Sequence, residues 1–173
     1  MQAYAEKWAE IPQRQLLTGT LLPYLGENLV LQVHTAKPGH KLMATRQGTT
    51  LHIWEGAGTL RPQIIQWYRE QAREYFIATT SILTAQLGCP PARVRVSSAR
   101  TRWGSCSGRR VLSFTWRLLL GPQQVARYVA AHEVAHLKHS NHTPSFWRQL
   151  LELQPSYYVE RAWLKERGHT LVL

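Results

Sequence analysis

The spacing of apolar positions changes several times along the chain, and each change marks an element. Residues 3–11 (AYAEKWAEI) carry a short helical pattern that stops before Pro12. From residue 18 the period falls to two. TGTLLPYLG reads as a strand with Pro23 at an edge or bulge, and NLVLQVHT and TTLHIW alternate as strands, with KLMAT as a partner between them. Pro38-Gly39 and Gln47-Gly48 supply the turns. This half of the pattern predicts a small antiparallel sheet.

A long helical stripe follows. Pro62 opens it and Gly88-Cys89-Pro90 ends it after about Leu87, with Ile64, Ile65, Tyr68, Ala72, Tyr75, Phe76, Ile82 and Leu83 on the apolar side. RVRVSS (93–98) and VLSFTWRLLL (111–120) read as strands joined by the loop RTRWGSCSGRR. Pro122 sits in the first turn of a helix expected to reach about Lys138. Thr143-Pro144 starts another, which Pro155 ends beyond Leu153. A last helix runs to about Arg167, with Gly168 as its stop. Strands, a long helix, strands again and then helices make an α+β domain. The 173 residues, 44% of them hydrophobic, suffice for one domain spanning 1–173 with its own core.

Charge adds an expectation about partners. The formal net charge is +11, and positions 75–132 hold eight arginines and no acid. A one-sign block of this kind favours an anionic partner, so the segment 93–127 is expected to bind nucleic acid weakly; a solvated basic face is the plainer reading. The chain has no aspartate; all ten acids are glutamates. An Asp-containing Ser-His triad, an aspartic dyad and an Asp-held magnesium cluster are therefore excluded within this chain. Cys89 and Cys106 have no CxxC spacing. The first ten residues contain no apolar targeting core, and no apolar run approaches membrane-spanning length. The expected location is the cytoplasm, without membrane association.

The densest chemistry lies in HEVAHLKHSNH, residues 132–142, which holds four of the chain's eight histidines and one glutamate. His132 follows Val125, Tyr128 and Val129 by seven, four and three residues, and His136 follows Val129 by seven. Both therefore share the inward face of their helix. A buried imidazole needs a partner, and two at i and i+4 can converge on one metal ion. Glu133 then stands beside the open side of that ion, where it can take a proton from water. For a third ligand His142 is preferred. His139 lies seven residues beyond His132, roughly 10 Å along a straight helix, too far to share an ion with it. Asn141 can turn the chain back by adopting the left-handed conformation. Glu152 and Glu160 are weaker alternatives. The spacing to His142 equals that of H-E-x-x-H-x-x-G-x-x-H, but Met1 and Met43 both lie upstream, so no downstream Met-turn exists.

RTRWGSCS, WRLLLGP, YVAAHEVAHLKHSNHTPSFW and QPSYYVERAWLKERG, taken together in this order, resemble the YgjP-like metallopeptidase family, related to the SprT and WLM zincin-like families. The resemblance covers roughly residues 20–168. It implies a zincin-like fold, a zinc-binding HExxH helix, and His142 in NHTPSFW as the third ligand. It also implies a metal-dependent hydrolase, and some relatives carry the label of a UTP pyrophosphatase. Two departures stand out. An N-terminal segment of strands common in the family is not evident before AYAEKWAEI, and Thr115 stands where the family tends to have asparagine before the Trp-Arg-Leu of WRL.

The expectation is a Zn²⁺ hydrolase with His132, His136 and His142 as ligands and Glu133 as general base, acting on peptides. The alternatives are a metal-dependent nucleotide (UTP) pyrophosphatase and a nucleic-acid-associated module with structural zinc. In zincin-like folds the strand beside the active-site helix presents its edge to substrate, which places Arg102, Trp103 and Ser105 near the cleft. Arg100, Arg102 and Ser105 are the candidate substrate contacts. For Trp103 and Gly104 a plainer reading stands beside this one, with Trp103 packed in the core and Gly104 making a turn. Cys106 is set aside as a nucleophile because of the neighbouring HExxH.

Overall fold

The computed structural model describes residues 15–36, 44–55 and 60–173. The predicted helix at 3–11, the Pro38-Gly39 turn and the start of KLMAT lie outside them.

Two small sheets pack around one long helix. The first contains β1 (Leu21–Tyr24), β2 (Glu27–Thr35), β3 (Ala44–Gln47) and β4 (Thr50–Glu55). The β1–β2 hairpin turns through Leu25 and Gly26, both at positive φ (51° and 92°). That is the combination a two-residue type I′ turn demands. Leu25 tolerates it while its amide donates to the Leu119 carbonyl at 2.7 Å. Gly48, at φ 57°, makes the β3–β4 turn. Leu22, Leu29, Leu31, Leu51 and Ile53 alternate onto one face and are fully buried.

The expected antiparallel sheet proves to be mixed. Its order is β1-β2-β4-β3, and β2 pairs with β4 in parallel, Val30 opposite Thr50 through Thr35 opposite Glu55. β3 lies outside β4 rather than between the two. Alternation reports only which face a residue occupies, so it is blind to strand direction. The chain from 36 to 49 is long enough for the crossover that a parallel pair requires.

Helix α1 (Leu60–Leu87) spans 28 residues. Its buried stripe includes Ile64, Tyr68, Ala72, Phe76 and Leu83, as the pattern predicts, whereas Ile82 is 57% exposed. Thr80 and Thr84 complete the buried face instead. Each hydroxyl donates to the carbonyl four residues back, so neither buries an unpaired polar group. Gly88 ends the helix at φ 65°.

The second sheet has the order β5-β7-β6, from β5 (Arg93–Ser97), β6 (Gly104–Cys106) and β7 (Val111–Thr115). β6 is a correction: RTRWGSCSGRR is not wholly loop, because Gly104–Cys106 pair antiparallel with Leu112–Phe114. β7 is shorter than expected. Trp116–Leu120 wind into a 3-10 helix that buries Trp116, Leu118, Leu119 and Leu120. Consecutive apolar residues cannot all face one side of a strand, and the tighter winding buries all four.

Three helices close the chain: α2 (Gln123–Ala135), α3 (Pro144–Leu153) and α4 (Tyr157–Arg167). α2 stops three residues before the expected Lys138. Gly168 does end α4, but in a right-handed conformation, and a short 3-10 turn follows. α2 packs against α1, β6, α3 and α4, so the histidine helix is held from several sides. Among the described residues no helix is long and apolar enough to cross a membrane.

Candidate metal centre

Helix α2 carries its apolar stripe, Val125, Tyr128 and Val129, into the core, and His132 extends the same stripe. One ring nitrogen from each of His132, His136 and His142 lies within 4.8 Å of the other two. Nε2 of His132 and Nε2 of His142 are 3.0 Å apart. Two tetrahedral ligands at zinc–nitrogen bonds of about 2 Å would stand ~3.3 Å apart. The donor set therefore fits a single metal ion.

The protonation chemistry points the same way. Burial, followed by the neighbouring His136 and His142 and then Arg161, lowers the His132 pKa to about 3. His142 is also lowered, by burial first. Neutral imidazoles are the ligand form, so no proton need leave His132 near pH 7 before a metal binds. His136 donates from Nδ1 to the His139 carbonyl at 2.8 Å, which fixes its tautomer and leaves Nε2 for the ion. Nδ1 of His132 is buried without a hydrogen-bond partner among the described residues.

The route from His136 to His142 differs from the expected one. α2 ends at Ala135, and the amides of Leu137, Lys138 and His139 bond back to Val134 and Ala135 in tight turns. The chain bends at Ser140–Asn141 with no left-handed residue there; among the described non-glycine residues only Leu25 and Arg110 have positive φ. His139 contributes its backbone carbonyl to the site, a role that sequence reasoning missed.

Phe146 was also missed. This fully buried α3 ring has its centroid 5.0, 4.5 and 4.6 Å from those of His132, His136 and His142. It forms an apolar floor under all three imidazoles. Its neighbour Trp147 donates from Nε1 to the His142 carbonyl at 3.2 Å and anchors the loop. The sequence signal for both was the Thr143-Pro144 helix start, which sets Phe146 in the first turn, directly after the bend.

Glu133 is buried, and burial raises its carboxyl pKa to about 8, with Arg102 pulling it down. It lines a cleft of about 330 Å³ together with His136, Ser140 and the run Gly104–Gly108. Gly104 is not a turn but a point of close approach. A Cβ there would lie 2.7 Å from both Cγ and Oε1 of Glu133. Strand β6 thus passes directly over the glutamate, and only glycine leaves the room.

The other candidates separate. Ser105 lines the cleft and Arg102 acts electrostatically on Glu133. Arg100 instead bears on Arg117, whose pKa falls to about 10 through burial and then this neighbour. Trp103 packs against Gly168, where an added Cβ would meet its ring at 2.8 Å. The Cys106 thiol is pushed up by burial and then by Glu133, which keeps it protonated. Thr115, in the position where the family tends to have asparagine, is buried and pins the loop before β6. Its hydroxyl donates to the Ala99 carbonyl and its amide to that of Trp103, both at 3.0 Å. Arg161, not singled out from sequence, stacks 4.9 Å from the Trp147 ring centroid, and its charge is felt at His132 and His142. Glu152 and Glu160 are not in the three-residue ligand cluster. Glu160 is buried and accepts from Ser156 at 2.9 Å.

Comparison with solved structures finds similarity to the crystal structure of the metallopeptidase zymogen of Pyrococcus abyssi abylysin. The two share 22% identity with a TM-score of 0.46, over 52% of this chain and 93% of that one. No curated protein matches. A family model described as YgjP-like, metallopeptidase domain, matches residues 1–167, and the chain belongs to that family.

Proposed function

We propose that the protein is a zinc-dependent peptide hydrolase, with His132, His136 and His142 as ligands and Glu133 as general base. One observation carries the reading: three histidines converge, and one of them, His136, lines a cleft together with the buried carboxyl of Glu133 and with β6, an edge strand among the described residues. Three protein ligands leave a coordination position free, which favours catalysis over a closed structural site.

Zinc in this position would activate a water molecule and polarise the scissile carbonyl. The chain's own residues do the rest. The free edge of β6 accepts an extended substrate as an added strand, with backbone bonds from Gly104 to Cys106. Glu133 takes a proton from water and passes it to the leaving nitrogen. A carboxyl pKa of about 8, raised by burial against the pull of Arg102, and lowered further by a metal cation, suits a base that must also release its proton. Arg102, whose charge is felt at Glu133, is the candidate to hold an anionic part of the substrate.

The test is a product assay of zinc-loaded protein on casein, short peptides and the four nucleoside triphosphates, with Glu133→Gln as the blank. Peptide cleavage should fall by about 10²–10⁴ in Glu133→Gln while zinc content stays near one per chain. Release of pyrophosphate from UTP with no peptide cleavage would replace this reading with the nucleotide hydrolase. Loss of zinc in Glu133→Gln would remove the glutamate's assigned role.

A further inference from the structure

A second cleft, of about 350 Å³, lies away from the metal centre, between α1 and β5. Arg69 and Arg73 approach it from the helix, and Arg93 and Arg95 from the strand. Gln66 and Glu70 complete the polar lining. The periodicities explain the convergence. Arg69 and Arg73 are one helical turn apart, about 6 Å along the axis. Arg93 and Arg95 share one side of the strand, about 6.6 Å apart, while the half-buried Val94 and Val96 hold β5 against the core. β5 is an edge strand, at the opposite edge of its sheet from β6.

Four guanidinium groups face one carboxylate here, and that carboxylate is engaged, since Glu70 Oε1 accepts from Gln66 at 2.8 Å. The ion pairs among the described residues are Arg46–Glu27 and Arg167–Glu166, and neither involves these four arginines. All four are exposed. Three of the other six arginines of the basic block are committed elsewhere. Arg110 bonds Cys89 and Pro90, Arg117 stacks on Trp116 and bonds Ser98, and Arg127 reaches the Leu153 carbonyl. The one-sign segment of the sequence therefore does not form one patch. Two of its arginines join two from α1, which lie outside it.

We propose that the α1–β5 cleft binds the phosphodiester backbone of nucleic acid. A planar guanidinium matches a phosphate with two parallel hydrogen bonds, and two pairs of arginines, each pair spread about 6–7 Å along its own element, suit several phosphates of a chain rather than one. Among the described residues no aromatic side chain lines the cleft, so bases find no stacking platform there, and binding is independent of sequence. The site is separate from the metal centre and does not depend on the proposed hydrolysis.

The test is fluorescence anisotropy of a labelled 20-nucleotide single strand with the full-length zinc-loaded protein, from 50 to 200 mM salt. Four neutralised phosphates on a single strand give a log–log slope of about −2.8, which is roughly a 50-fold loss of affinity over this range. Arg93→Gln/Arg95→Gln and Arg69→Gln/Arg73→Gln should each flatten it to about −1.4, roughly a sevenfold loss. The exposed pair Arg148→Gln/Arg167→Gln should leave the slope unchanged. Circular dichroism and zinc content report on folding in each variant. Absence of binding at 50 mM salt, or an unchanged slope in both cleft variants, would overturn the proposal. So would displacement of the oligonucleotide by polyglutamate at equal charge, which assigns the cleft to acidic peptides. Displacement by stoichiometric UTP would likewise assign it to a small nucleotide.

Discussion

Glu133 and Gly104 define each other. The carboxylate is buried because β6 lies over it, and β6 approaches so closely because residue 104 has no side chain. Gly104→Ala should therefore destabilise the protein by about 1–3 kcal/mol, the range for overpacking a tight contact. The Gly104→Ala/Glu133→Ala pair should recover much of that loss, since truncating Glu133 removes the atoms the new methyl meets. Urea denaturation of the two single variants and the double variant measures the coupling. Strictly additive costs would mean that the contact is not what excludes a side chain at 104.

Among the elements, the end of α2 departs most from the sequence pattern and matters most for the site. The apolar stripe that reaches His132 and His136 was legible because helical periodicity reports a buried face directly. The end of the helix was not, because no glycine or proline marks it before Pro144 and nothing local distinguishes residue 135 from 138. Excluding His139 as a ligand on helix rise assumed a straight helix to Lys138. In the structure the helix has already ended, His139 lies outside the three-histidine cluster, and its carbonyl holds the Nδ1 of His136. Phe146 was legible only as a first-turn residue after Thr143-Pro144; its role as the floor of the site was not, since that depends on where the loop returns. A backbone carbonyl survives side-chain truncation, so His139→Ala should leave zinc affinity within about threefold of wild type. His142→Ala should cost more than about 100-fold, beyond the 10–100-fold typical of outer-sphere partners. Competition with a chromophoric chelator ranks the two. A larger loss from His139→Ala would show that its imidazole, not its carbonyl, serves the site.

At the scale of the whole molecule, the metal centre sets how stability depends on pH. The Glu133 carboxyl titrates near 8 in the metal-free fold, against an unfolded value near 4.5. The folded state thus holds the proton more tightly, and stability falls as pH rises through that interval. His132 acts in the opposite sense. Its folded pKa of about 3 lies below the usual 6.5, so its contribution is complete above 6.5 and is lost as pH falls toward 3. The two oppose each other between 4.5 and 6.5, which leaves 6.5 to 8 as the window where Glu133 acts without His132. There the metal-free protein should lose about 1–2 kcal/mol more than Glu133→Gln does, because only the carboxyl ionises against its burial. Bound zinc supplies the counter-charge and should abolish most of that difference. Chemical denaturation at pH 6.5 and 8, with chelator and with saturating zinc, for wild type and Glu133→Gln, gives the four comparisons. Equal pH dependence of the two metal-free proteins would mean that Glu133 is ionised throughout, and that the buried carboxyl already has a partner other than the metal.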